Sequence, residues 1–215
     1  MSTDLAVLQA HPDLPEADRA DVVASLVRGE RRLRETLQAL EQLARGELVS
    51  ADQLAPVDLV DLALQAADDA RRHHRSGPAV TVEVDVPDRA VVVVGWAAGL
   101  RLALDNLVTN AVRHGVAGRP GVLVRVAVRP SPTGGAELTV EDDGPGVPDD
   151  ERSRVLGRFV RGRSAAGTGS GLGLALVDQQ VRLHGGRLTL TASPLGGLAV
   201  RVDLPSGEKP APAAT

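Results

Sequence analysis

Strand-like and helix-like segments follow one another in this 215-residue chain without strict alternation. That order favours an α+β architecture over a doubly wound parallel sheet. Val80, Val82, Val84 and Val86 alternate with polar residues, the period of a half-buried strand, and residues 91–94 are a continuous apolar run. Helical periodicity runs over residues 58–74, 99–114 and 171–184. Val122, Val124 and Ala127, then Leu138 and Val140, mark two strands around a turn at Thr133-Gly134-Gly135, and two closing strands lie around residues 188–190 and 198–204. The expected fold is a two-layer sandwich, a mixed β-sheet covered on one face by helices. Trp96 and Phe159 are the only aromatic side chains, so Leu, Val and Ala must supply the core.

Ahead of this part the pattern changes. Residues 5–10 read as the tail of a helix, and His11-Pro12-Asp13-Leu14-Pro15 breaks it. Residues 16–45 read as one long helix, with Leu26, Leu33, Leu37, Leu40 and Ala44 near heptad spacing and Gly46 at its stop. This is a partial helical hairpin, a dimerising or inter-domain element; its alternative is an amphipathic helix packed on its own domain. The division expected is residues 1–50 for the hairpin, 51–205 for the α+β domain and 206–215 for a Pro/Ala-rich disordered tail.

Formal net charge is −4, and the basic residues form no stripe, so nucleic acid is not an expected partner. The chain has no Cys, which excludes a disulfide framework, a thiol nucleophile and thiolate metal ligands. No apolar run approaches the length of a membrane span, and MSTDLAVLQA has no basic n-region. The chain is expected in the cytoplasm, attached to a membrane only through segments it does not contain.

Four motifs carry chemistry. In Asp105-Asn106-Leu107-Val108-Thr109-Asn110-Ala111-Val112-Arg113-His114 the two Asn stand one helical turn apart and face the same way. An amide oxygen ligates Mg²⁺ without adding charge beside a triphosphate, and Arg113 lies near the same rim; two Asn on a helix also occur as plain surface or cap residues. In Val140-Glu141-Asp142-Asp143-Gly144-Pro145-Gly146 a strand runs into an acidic pair and then Gly-x-Gly. A carboxylate there can accept from the exocyclic amine of adenine, and glycines let backbone approach a flat ring; an acidic turn has the same composition. Arg158-Phe159-Val160-Arg161 sets one apolar anchor among arginines that can meet phosphate. Gly167-Thr168-Gly169-Ser170-Gly171-Leu172-Gly173-Leu174 opens a helix, where backbone N–H groups and the helix dipole make an anion site.

In order and spacing these segments resemble the N, G1, F and G2 boxes of the histidine-kinase catalytic domain, of the superfamily that includes gyrase, HSP90 and MutL ATPases. The resemblance covers about residues 56–205 and, more loosely, 1–46. It implies an ATP-dependent protein-histidine kinase with ATP and Mg²⁺ as cofactors. It makes Asn110 the Mg²⁺ ligand and a catalytic residue together with Arg158. The ATP-binding set it implies is Asn106, Asn110, Arg113, His114, Asp142, Gly144, Gly146, Arg158, Phe159, Arg161, Gly169, Ser170, Gly171, Leu172 and Gly173, with Asp142 reading adenine and the segment between the G1 and G2 boxes forming a lid. Two positions depart from the pattern. Leu156 and Gly157 stand where an aromatic and an acidic residue are usual in the F box. Asn106 replaces the Glu that activates water in the ATPase relatives, and an amide cannot act as that base, so transfer to a protein acceptor is favoured over hydrolysis.

The family's phosphoacceptor His lies on the first hairpin arm, and no matching segment occurs here. His11 sits in the breaker, His73 and His74 at a later helix end, and His184 at a helix C-terminus. The expectation is a chain that binds ATP but does not label itself, being a fragment, a product of an internal start, or active on another protein's His. The resemblance further implies a response regulator receiver domain as partner and a homodimer through a completed hairpin. A serine kinase of the anti-sigma type on the same fold, and a nucleotide-binding regulatory module without transfer, are the alternatives.

Overall fold

The computed structural model describes residues 14–16, 18–27, 29, 30, 33, 37, 53–73, 78–116, 119–132, 134–157, 160 and 171–207. Most of the expected hairpin and residues 208–215 of the expected tail therefore lie outside the described residues. The described residues at 16, 18–27, 29, 30, 33 and 37 are helical, and Val23, Val27, Leu33 and Leu37 are exposed.

The α+β part begins with β1 (Ala55–Asp58), which the sequence reading did not foresee, followed by α1 (Leu59–His73), β2 (Ala79–Asp85) and β3 (Val92–Gly95). Then come α2 (Ala97–Gly115), β4 (Gly121–Pro130), β5 (Ala136–Asp142), the short α3 (Asp149–Arg152) with a 3₁₀ turn at Arg154–Leu156, α4 (Gly173–Leu183), β6 (Arg187–Ala192) and β7 (Leu198–Leu204). Five strands form one sheet in the order β2-β4-β5-β7-β6, with β2 and β4 parallel and the other neighbours antiparallel. The expected mixed sheet under a helical layer is the fold observed.

Register explains the two faces. Val82, Val124, Val140 and Val200 lie on one face with Val126, Val128, Leu138 and Val202, all buried. α1, α2 and α4 cover that face; α1 packs on α2, β2 and β4, while α2 packs on β4, β5 and α4. α2 buries Leu100, Ala103, Leu104, Leu107, Val108, Ala111 and Val112, an i, i+3, i+4 stripe. Each Leu or Val so buried contributes roughly 1.5–3 kcal/mol. On the opposite face Arg125 pairs with Glu83 at 3.1 Å and lies 3.8 Å from Glu141, Arg201 pairs with Glu137 at 2.7 Å, and Arg129 pairs with Asp85. A one-residue slip would put these charges into the core, which fixes the register.

β1 and β3 make a separate antiparallel pair. Pro56, which has no N–H, lies opposite Val94, and the Val94 N–H turns the other way to the Ser206 carbonyl at 3.0 Å. Asp58 ends β1 and caps α1: its Oδ1 accepts from Val60 N–H at 3.0 Å and from Val91 N–H at 3.2 Å. His184 joins the end of α4 to the start of α2. Its Nε2 accepts the Trp96 N–H at 2.9 Å, so its Nδ1 carries the proton of the neutral ring and donates to the Gln180 carbonyl at 2.6 Å. This cross-link is a structural role for His184 at the end of α4.

Candidate functional site

α2 is the spine of the site. Leu107, Val108, Ala111 and Val112 face the core, which leaves Asn106, Asn110 and Arg113 half-buried on the flank and His114 exposed. The first turn of α4 lies against that flank. A Cβ on Gly173 would come within 2.9 Å of Asn110 Nδ2, 3.3 Å of Asn110 Oδ1 and 3.3 Å of Asn106 Oδ1. A side chain at this position would have to displace the Asn110 amide, so glycine lets α4 start this close to the Asn pair without moving it. The structure thus brings together residues of two motifs, Asn110 and Gly173, that lie more than sixty residues apart in the chain.

The start of α4 has the chemistry of an anion site. Its N-cap residue Leu172 makes no side-chain cap bond, and no acidic residue sits in the first turn. Among the described residues of its cap and first turn, nothing neutralises the positive end of the helix. Gly171 precedes it at φ +69°, a left-handed conformation suited to glycine. The Leu172 side chain is fully buried and packs on Leu176, so what it offers a ligand is backbone.

Asp142 ends β5 at the other side of α2. It is 6% exposed, and its Oδ1 accepts the N–H groups of Gly144 at 2.9 Å and Leu198 at 3.3 Å. Burial pushes its carboxyl above the ordinary aspartate range; the two backbone donors pull it back, and the charge of Asp143 adds to the rise. Asp143 goes the other way. Burial opposes its charge too, but the Leu123 N–H at 2.9 Å and the Arg119 guanidinium at 3.0 Å outweigh it and hold its carboxyl below the usual range. Adjacent carboxylates thus have different tasks: Asp143 ties the turn to β4 and Arg119, and Asp142 is set in a drier place.

The turn after β5 meets α2 again. A Cβ on Gly144 would lie 2.9 Å from Gly115 Cα, one residue beyond His114. Gly146, at φ +70°, faces Gly197 of the turn between β6 and β7. Gly115 and Gly197 belong to none of the four motifs. Their contacts come from elements distant in sequence, and a glycine at a helix end or in a hairpin turn carries no local sign of them.

Arg113 donates through Nη2 to Asn110 Oδ1 at 3.0 Å, and Asn106 donates through Nδ2 to the Leu102 carbonyl at 2.9 Å. Asn106 Oδ1 and both amide atoms of Asn110, its Nδ2 nearest, lie beside the position of a Gly173 Cβ. Arg158, Phe159, Arg161, Gly169 and Ser170 lie outside the described residues, as does the whole stretch 161–170. Among the described residues no group of three His, Asp or Glu side chains is arranged to hold a metal ion, and no helix is long and apolar enough to cross a membrane.

Comparison with known proteins places this arrangement. The profile of the histidine kinase-, DNA gyrase B- and HSP90-like ATPases matches residues 95–208. The sensor-type histidine kinase PrrB of Mycobacterium leprae is 48% identical over 208 residues, which is 96% of this chain and 44% of that protein. The chain thus spans less than half the length of this curated relative. The crystal structure of the ATP binding domain of PrrB from Mycobacterium tuberculosis superposes with a TM-score of 0.57 at 41% identity, over 73% of this chain and 99% of that one. The mycobacterial sensor histidine kinase MprB gives a TM-score of 0.62 at 35% identity, over 70% and 97%.

Proposed function

The chain belongs to the histidine kinase-, DNA gyrase B- and HSP90-like ATPase family, as a catalytic ATP-binding domain of the sensor histidine kinases, and on that premise we propose that it transfers the terminal phosphate of ATP to a histidine on a dimerisation helix, for relay to the receiver domain of a response regulator. The observation that carries this reading is the close approach of α4 to Asn106 and Asn110 across Gly173. It sets an unneutralised helix start against two amides, the arrangement a triphosphate with a bound cation requires.

Mg²⁺ fits this donor set. The Asn110 amide oxygen is a hard, uncharged ligand, and phosphate oxygens and water supply the others, as is usual for this ion. When bound, Mg²⁺ neutralises phosphate charge during transfer. Asn110 Oδ1 has a second lone pair beside the one that accepts from the Arg113 guanidinium, so it can ligate the ion with Arg113 held next to it, near enough to meet a phosphate. Asp142 accepts from the adenine amine in a buried setting where such a bond is strong. Asn106 has no basic nitrogen or oxygen with which to activate water, which favours transfer over hydrolysis. Arg158 and Arg161 serve the terminal phosphate from the lid, and the exposed apolar residues Val23, Val27, Leu33 and Leu37 serve a homodimer.

The test is incubation of the chain with terminally labelled ATP, alone and with a supplied hairpin carrying an acceptor histidine. The expected result is no acid-labile label on the chain alone and a labelled hairpin in the mixture. Failure to label the hairpin while ATP still binds would refute transfer in favour of a binding module, and robust self-labelling would show that the acceptor lies within the chain.

A further inference from the structure

Asp142 is held by a second turn that none of the four motifs contains. The hairpin between β6 and β7 is closed by the Ser193 N–H to the Gly197 carbonyl at 2.9 Å and the Gly196 N–H to the Ser193 carbonyl at 3.0 Å. Its far side lies on the end of β5. The Gly197 N–H donates to the Asp142 carbonyl at 3.1 Å, and the next N–H, that of Leu198, donates to Asp142 Oδ1 at 3.3 Å. A Cβ on Gly197 would strike Asp142 Oδ1, and would lie 2.5 Å from the Asp142 carbonyl oxygen and 2.6 Å from the Gly144 nitrogen. Two of these three atoms are backbone, so no rotamer change relieves the collision. Gly197 lies outside the left-handed region, so glycine is required there for space; its neighbour Gly196, at φ +110° with nothing within 4 Å, is there for conformation.

We propose that Gly197 and the Leu198 N–H position the Asp142 carboxylate, and that this turn thereby sets the preference of the site for adenine over guanine. The proposal rests on the reading of Asp142 as the adenine acceptor. The Gly144 and Leu198 N–H groups both end on Oδ1; among the described residues Oδ2 receives no such bond. A carboxylate fixed through one oxygen presents the other in one direction, where it accepts from the amine of adenine and repels the oxo group of guanine. Removing the Leu198 bond frees the carboxylate to rotate and weakens its charged form. The charged groups that act on Asp142 from its surroundings are Asp143 and Arg119, and neither is touched by a change at Gly197.

The experiment is calorimetric titration of the whole chain with ATP and with GTP from pH 5.5 to 8, for wild type, G197A, G196A, D142N and G197A/D142N, with folding followed by circular dichroism. G197A is expected to weaken ATP roughly tenfold or more while leaving GTP within a factor of about two, and to shift the acid limb of ATP binding to higher pH. G196A, strained at φ +110° in the same turn, narrows the ratio in the same sense, and in the D142N background G197A has little further effect. Equal losses for ATP and GTP, an unchanged ATP affinity, or additivity with D142N would each overturn the proposal. If G197A does not fold, Ser193→Ala tests the same turn: it removes the acceptor of the Leu195 N–H and adds nothing near Asp142. It should narrow the ratio in the same sense, and an unchanged ratio would overturn the proposal. A D142N chain that binds ATP and GTP as wild type does would instead sink the reading of Asp142, and the proposal with it.

Discussion

Gln180 offers a sharp test of how the helical layer is held. It lies on α4 with no exposed surface, and among the described residues neither Oε1 nor Nε2 has a hydrogen-bond partner. Its Oε1 lies against Gly99 of α2, where a Cβ would strike it, and the Trp96 ring fills the other side of Gly99. A buried amide left unpaired costs about 1–3 kcal/mol of desolvation. Gln180→Met keeps the length of the side chain and removes both polar atoms. The expected outcome is a gain in stability of about 1–3 kcal/mol. For a domain of this size that is a rise in Tm of roughly 2–4 °C per kcal/mol. Urea denaturation should show a higher midpoint at unchanged slope. ATP affinity should not move, because Gln180 lies seven residues from Gly173, about 10 Å along the helix. A loss of more than about 1 kcal/mol would refute the reasoning, since it would mean that the amide is paired, through water or otherwise, and that α4 is fastened to α2 by that bond.

Three further outcomes are expected. His184→Ala removes the acceptor of the Trp96 N–H and the donor to the Gln180 carbonyl. It should cost about 1–3 kcal/mol in denaturant titration while the folded fraction binds ATP normally; a neutral effect would contradict the cross-link. Asn110→Ala should abolish the difference between ATP affinities measured with Mg²⁺ and with a chelator, leaving Tm within a few degrees, and a persisting difference would move the metal elsewhere. Asp142, raised by burial first and by Asp143 next, holds its proton to higher pH in the folded chain than in the unfolded one. Its contribution to stability is therefore present below the unfolded pKa and lost as pH rises through the folded one. Asp142→Asn should accordingly not lower Tm at neutral pH, and wild-type ATP binding should begin to fail above the ordinary aspartate range as pH falls. A large drop in Tm for this variant would contradict the first point, and binding unchanged to pH 4 the second.

The helices and most strands were legible because their periodicity is local. The helical patterns over 58–74, 99–114 and 171–184 became helices whose ends differ by one or two residues. Gly144 and Gly146 were legible as a turn and Gly173 as the opening of a helix, and the spacing of Asn106 and Asn110 as one face. Ala55–Asp58 was not read as a strand, because four residues containing a proline show no alternation. Nor was the Ser206 carbonyl on Val94, the His184 bond to Trp96 across 88 residues, or the Gly197 contact with Asp142. Each joins segments far apart in the chain, and only packing decides it. The same physics hid the difference between Asp142 and Asp143, the same residue type, of which Asp142 ends β5 buried and Asp143, just beyond the strand, is half-buried.

The placement of β3 has a mechanical consequence. It is flanked on one edge by β1, the first strand of the domain, and on the other by the Ser206 carbonyl, just after the last. Entry and exit therefore lie about two inter-strand spacings apart, roughly 10 Å. Whatever precedes residue 55 and whatever follows residue 207 leaves from one spot on the surface. A torque applied there reaches Trp96 and the start of α2 through β3, which runs directly into them.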